Sequence, residues 1–122
     1  NIEKPIYHTN IMMSIGTRFA IICLDAIEDE KERKKVQQKL ESSKDLIVIS
    51  KEQMYSFCAN VIEVKNSFDE PFLILSTRAY KSFTDFQLKS LSNHVNKFVH
   101  TPLDTIEDLG GGSARCLLAE LF

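Results

Sequence analysis

Cys116 stands at the end of Gly110-Gly111-Gly112-Ser113-Ala114-Arg115 and opens the apolar run Leu117 to Phe122. Three of the four glycines in the chain are in that segment. Glycine lacks a Cβ, so a run of three lets the backbone turn freely or come close to a ligand. The apolar run reads as a short buried strand. A thiol at such a junction is reachable from the loop and held still by the strand, which suits a nucleophile. The competing reading is that Cys116 is a small buried hydrophobe, the commonest fate of a free cysteine. A phosphate-binding loop does not fit: no Gly-Lys-Ser/Thr ending follows the glycines, and a strand offers no helix N-terminus to an anion.

A thiol nucleophile needs a group that moves protons, and His8 is the candidate. Sequence separation is no obstacle if the fold brings the two together. His94 and His100 read as structural or solvent-facing, one on an outer helix and one at a strand end. Cys23 and Cys58 read as packing. The odd count of three separated cysteines, with no Cys-x-x-Cys pair and three scattered histidines, argues against a zinc site and fits a reducing compartment. No metal and no cofactor is expected, and the expected location is cytoplasmic.

The elements that must position these residues repeat. Tyr7 to Ile15 and Arg18 to Leu24 are expected to form a hairpin around Gly16-Thr17. Glu28 to Ser42 reads as a helix, acidic at its start and lysine-rich later, with Ile27, Val36 and Leu40 as one narrow inward stripe. Leu46 to Ile49 is a short strand. Ser50 with Gln53 has the form of a capping box, stapled by Ile49 and Met54, and opens a helix to about Phe57. The series then recurs: Asn60 to Val64 and Phe72 to Leu75 as strands around the loop Asn66 to Glu70, a second capping box at Thr84 and Gln87 stapled by Phe83 and Leu88, a helix carrying Leu88, Leu91 and Val95 inward, a strand from Lys97 to Val99, and a short helix from Leu103 to Leu109. The offset is roughly 50 residues, in the range of propeller and solenoid repeats. Each unit is ββαβ, one blade of an α/β propeller. The expected division is a blade over 1–57, a second over 58–109 and the start of a third over 110–122. Two and a half blades cannot close a ring, so sheet edges would stay open without further chain. The opening residues Asn1 to Pro5 do not read as a natural start, and a missing N-terminal half is expected.

Equivalent positions in a blade repeat point to one place. The starts of the first strands carry His8 and Asn10, then Asn60, then Cys116, so these are expected to converge on one axial cleft. Asn60 has two readings, lining that cleft or hydrogen-bonding the turn before its strand. Arg115 also has two, steering a carboxylate or pointing away on the opposite strand face.

Tyr7-His8-Thr9-Asn10, Cys58-Ala59-Asn60-Val61, the glycine-run–Arg115-Cys116 motif and Ser76-Thr77-Arg78-Ala79-Tyr80 resemble the guanidino-group-modifying superfamily, the penteins. The whole chain is similar to the C-terminal half of the bacterial arginine-deiminase-related branch, which includes amidinotransferases and citrulline hydrolases. The resemblance implies a five-bladed α/β propeller and covalent catalysis. Cys116 would attack the carbon of a guanidinium or ureido group; His8 would protonate the departing nitrogen and then activate water. Arginine deiminases carry Asp two positions after the histidine, where this chain has Asn10. An uncharged amide suits a neutral ureido group better than a cation, so hydrolysis of a citrulline-like substrate is expected, with arginine deimination or amidinotransfer as alternatives. Asn10, Asn60 and Arg115 would contact substrate, and the acidic substrate-binding residues would come from the N-terminal half, leaving the 122 residues alone inactive. A reading of another class is a non-catalytic binding module, as in a pentein initiation factor that binds the ribosome; such a protein has no need of His8 with Cys116.

The bulk numbers set outer limits. A chain of 122 residues with formal charge -2 suits one domain and offers no excess of positive charge for nucleic acid or an anionic membrane. No apolar run approaches the ~20 residues of a membrane span. The expected partner is a small-molecule substrate, with a homo-oligomer left open.

Overall fold

The computed structural model describes residues 9–110 and 112–115. Its frame is two three-stranded sheets of identical topology. In the first, β1 (Met13–Ile15) pairs antiparallel with β2 (Phe19–Ile22), and β2 pairs parallel with β3 (Asp45–Val48). In the second, β4 (Ile62–Lys65) pairs antiparallel with β5 (Pro71–Ser76), and β5 pairs parallel with β6 (Lys97–Thr101). A parallel neighbour needs a crossover. The first unit supplies it with α2 (Glu30–Glu41), the second with α4 (Thr77–Ser82) and α5 (Asp85–Ser92). The ββαβ repeat read from the sequence is therefore present twice.

Local sequence explains the ends of these elements. The side chain of Asp29 caps α2 by accepting from the Lys31 N–H. Helix α2 buries no residue fully and turns a half-buried stripe of Arg33, Val36, Gln37 and Leu40 inward. Both expected capping boxes form, at Ser50 with Gln53 before α3 (Lys51–Tyr55) and at Thr84 with Gln87 before α5. Each such cap contributes on the order of 1 kcal/mol.

The two boxes also meet. Gln53 Nε2 donates to Gln87 Oε1 at 2.6 Å, and Gln87 Nε2 donates to Gln53 Oε1 at 3.2 Å. The remaining amide hydrogens go to the Ser82 and Val48 carbonyls, each in the other glutamine's unit. Each glutamine thus caps its own helix and ties its unit to the other. Beneath this pair lies a single core. Phe19, Ile21, Ile47 and Met54 of the first unit pack in one cluster with Val61, Leu73, Leu75 and Leu91 of the second. Strand β2 is buried at every position, as a central strand covered on both faces must be.

Three expectations need correction. Residues Thr9–Met12, expected within the first strand, form the short helix α1, and β1 begins only at Met13. A continuous apolar stretch does not distinguish a buried helical turn from a strand; here the turn delivers Ile11 to the core while the Met12 carbonyl accepts the Cys23 N–H. The strand expected from Asn60 starts at Ile62, because Phe57 to Asn60 form a turn. Ala114 and Arg115 are helical, so the reading of Arg115 on the opposite face of a strand does not hold. Residues 117–122 of the expected third strand lie outside the described residues. Helix α6 (Asp104–Gly110) runs to the first glycine of the run, where a helix commonly stops.

Candidate functional site

Residues 112–115 are held in place from two directions. The Ser113 N–H donates to Oδ1 of Asn60 at 2.9 Å, and the Arg115 N–H approaches the Asn60 carbonyl at 3.5 Å. Asn60 is fully buried. On the other side the Ser113 hydroxyl donates to Oε2 of Glu107 at 2.6 Å. Ser113 and Ala114 are buried as well, and Arg115 is half-buried.

The turn that presents Asn60 follows from the end of α3. The Cys58 N–H bonds the Gln53 carbonyl at 3.0 Å and the Phe57 N–H bonds the Met54 carbonyl at 2.9 Å. That pair of bonds is a Schellman motif, whose penultimate position is left-handed and usually glycine. Here it is Phe57, at φ 67°. A side chain in that conformation costs on the order of 1 kcal/mol, and burial of the Phe57 ring, 8% exposed, offsets it. The reversal sends Cys58 and Ala59 into the core and leaves Asn60 at the foot of β4.

The foot of β1 lies beside the foot of β4. Ser14 Oγ donates to the Val61 carbonyl at 3.0 Å in a buried contact. Further along, the Thr17 N–H and hydroxyl both donate to the Glu63 carboxylate, at 2.9 and 2.8 Å. The first strands of the two units therefore run side by side in the same sense. Three stretches singled out in the sequence meet here: the α1–β1 segment that follows His8, the Asn60 turn, and the segment that leads to Cys116.

His8 and Cys116 themselves, and the side chain of Asn10, lie outside the described residues. Of the remaining sequence-derived candidates, Asn60 bonds the turn before its own strand, its N–H donating to the Phe57 carbonyl at 3.0 Å, and its side chain holds the segment after the glycines. Arg115 joins it through its backbone. His94 bonds Asp45 at 2.9 Å and stacks on Phe19, while His100 bonds Thr77 at 2.9 Å and stacks on Tyr80, so both are held in packing contacts. Cys23 and Cys58 are fully buried. Burial pushes the Cys58 thiol up to about 12 and raises that of Cys23, so neither offers a thiolate near neutral pH.

Sequence reasoning missed Glu107, Ser113 and the partner of Arg78. Glu107 is a buried carboxylate on a helix whose apolar Ile106 and Leu109 face solvent. Arg78 lies against three acids: Asp108 at 3.0 Å, Asp104 at 3.4 Å and Glu107 at 3.5 Å. The hydrogen bond to Asp108 and the neighbouring charges hold the guanidinium above its ordinary value. Hydrophobic patterning points the wrong way on this helix. Only the appearance of Arg78 in the Ser76–Tyr80 motif hinted at a role for it.

Among the described residues, no group of three or more His, Cys, Asp or Glu side chains is placed to hold a metal ion. No described helix is long and apolar enough to cross a membrane. A polar cavity of about 350 Å³, lined by Arg18, Lys65, Asp69 and His94 among others, opens at the opposite ends of β1 and β4 and includes neither Asn60 nor Arg115.

The family described as N,N dimethylarginine dimethylhydrolase, eukaryotic, matches residues 1–122. Among solved structures, the apo form of ArgZ, an arginine dihydrolase from the ornithine-ammonia cycle in cyanobacteria, is similar to this chain with a TM-score of 0.69 at 18% sequence identity. The likeness covers 91% of this chain and 15% of the ArgZ chain, so it speaks for the fold. Among curated proteins, none matches.

Proposed function

The chain belongs to the N,N dimethylarginine dimethylhydrolase family, eukaryotic, within the guanidino-group-modifying pentein superfamily, and on that premise we propose that it carries the nucleophile and the acid/base residue of a hydrolase acting on a C–N bond of a ureido or guanidino group. The two ββαβ units are read as two blades of a five-bladed propeller, and residues 110–122 as the start of a third. The observation that carries the reading is the meeting of three segments: Asn60 Oδ1 accepts the Ser113 N–H at 2.9 Å, and the Val61 carbonyl accepts the Ser14 hydroxyl at 3.0 Å. His8 precedes the first of these segments in the chain and Cys116 follows the last.

In this mechanism the Cys116 thiolate attacks the central carbon of the ureido or guanidinium group. His8, as imidazolium, gives its proton to the departing nitrogen, and the amine leaves. The neutral imidazole then takes a proton from water, whose oxygen attacks the thiol-bound carbon; collapse of that adduct returns the thiolate. An imidazole serves both steps because its charge changes near neutral pH. Arg115 and Asn10 contact the substrate, and Asn60 acts by holding the thiol-bearing segment. Asn10, an amide rather than a carboxylate, favours a neutral citrulline-like ureido group over a guanidinium. The family name supports a second reading, release of dimethylamine from dimethylarginine.

Product analysis of the full-length protein with citrulline, arginine and dimethylarginine tests this. Turnover of citrulline above the other two, lost in Cys116→Ser and His8→Ala, is expected. Turnover that survives Cys116→Ser removes the covalent mechanism, and a preference for arginine or dimethylarginine removes the ureido assignment.

A further inference from the structure

The glycine run is closed at its base by the Glu107–Ser113 hydrogen bond, which spans six residues and encloses Gly110 to Gly112. Three successive glycines lose more backbone freedom on ordering than any other tripeptide. Left open, such a loop would let the residue after Arg115 wander. The closing bond is short, at 2.6 Å, and made to a carboxylate whose side chain is 0% exposed. Charge-assisted bonds of this kind are about twice as strong as neutral ones.

A buried carboxylate is an expensive way to tie a loop. Removing it from water costs several kcal/mol, and apolar packing of similar volume often serves stability as well or better. Glu107 is only partly compensated. Its Oε1 lies 3.5 Å from Arg78 Nε and makes no hydrogen bond among the described residues. Arg78 in turn is fixed by Asp104 and Asp108, from the same helix as Glu107. The arrangement fixes direction rather than adding stability: one oxygen is aimed at the Ser113 hydroxyl, and the N–H of that same serine is taken by Asn60 of the second unit.

We infer that Glu107 and Ser113 form a clasp across the glycine run that sets where Cys116 sits, so that both are positioning residues for the thiol. The inference rests on the covalent role proposed for Cys116 and adds to it two residues that touch no reacting atom. Ser113→Ala deletes the hydroxyl and leaves the N–H bond to Asn60 in place; Ser113→Thr keeps a hydroxyl; Glu107→Gln keeps an acceptor and removes the charge.

The test is steady-state kinetics of these variants in the full-length protein, on whichever of citrulline, arginine or dimethylarginine it turns over, alongside Cys116→Ser and thermal melting of each. A misplacement on the scale of an ångström costs about 100-fold in rate. Ser113→Ala is therefore expected to lower kcat by about 10- to 100-fold with KM changed less than about threefold. Ser113→Thr is expected to recover most of kcat, and Glu107→Gln to fall between. Wild-type kcat in Ser113→Ala, or a loss of kcat that only follows a loss of Tm and is not recovered by Ser113→Thr, overturns the clasp while the proposed function stands. Unchanged turnover in Cys116→Ser overturns the proposed function instead.

Discussion

Asn60 and Ser113 are 53 residues apart in the chain and joined by a buried 2.9 Å hydrogen bond from the serine N–H to the asparagine side-chain oxygen. The bond couples the foot of β4 to the segment after the glycines, and so couples the second repeat unit to whatever chemistry that segment carries. A buried N–H left without its acceptor costs ~1–3 kcal/mol. Asn60→Ala is expected to lower the free energy of unfolding by that amount in urea titrations and to reduce kcat more than it raises KM. A variant that keeps full stability and full kcat would show that the segment is held by other means.

The Gln53–Gln87 pair makes a sharper thermodynamic statement. Each amide caps its own helix and bonds a carbonyl of the opposite unit. Gln53→Ala and Gln87→Ala should therefore be strongly non-additive, with a coupling free energy of about 0.5–3 kcal/mol in a double-mutant cycle read by urea denaturation. Additive losses would mean that the two units are fastened elsewhere.

Gly16 occupies a position where no larger residue fits. A Cβ there would come within 2.5 Å of the Phe19 ring and 2.7 Å of Glu63 Oε1. The ring is 1% exposed and has little room to move, and Glu63 is engaged by Thr17. Gly16→Ala is expected to destabilise by ~1–3 kcal/mol, the range for overpacking a filled interior. Calorimetric melting checks it; an unchanged Tm would contradict the contact.

Much of this architecture was legible in the chain, and the reasons are physical. The two capping boxes have a fixed spacing and a donor–acceptor logic that does not depend on tertiary context, so Ser50, Gln53, Thr84 and Gln87 could be read directly. The roughly 50-residue repeat gave the ββαβ unit, and the structure contains it twice. Residues 9–12 were not legible as helix because Ile11, Met12 and Met13 are apolar in succession and carry no period. Nor was the reversal at Phe57, since a left-handed Phe has no compositional signal where glycine is the usual marker. At the candidate site, the importance of the glycine run and of Asn60 could be inferred from type and position. Glu107 could not, because a buried acid on a helix with exposed Ile106 and Leu109 inverts the pattern on which such readings rest. The pairing of Arg78 with that acid depends on how α4 and α6 lie together, which no local signal encodes.

The thiols offer a pH-resolved check on the fold. Burial raises the Cys58 pKa from 9.0 to about 12 in the folded protein. Between those values the unfolded chain has released a proton that the folded chain keeps, so the Cys58 contribution to stability is whole below pH ~9 and falls away as pH rises toward ~12. Urea midpoints should decline across that window, and less steeply in Cys58→Ala. At pH 8 in native conditions, iodoacetamide should leave Cys23 and Cys58 unmodified, both being fully buried. Rapid native-state alkylation of either would contradict the packing described.

The most direct test of the covalent account is to mix the full-length protein with substrate, quench in acid within the first turnovers, and weigh the peptide that contains Cys116. The account predicts a mass increase equal to the thiol-bound carbon fragment on Cys116, none on Cys23 or Cys58, and loss of that species in His8→Ala, where the departing nitrogen lacks its proton donor. Continued product formation with Cys116 unmodified at every quench time, and undiminished in Cys116→Ser, would contradict it.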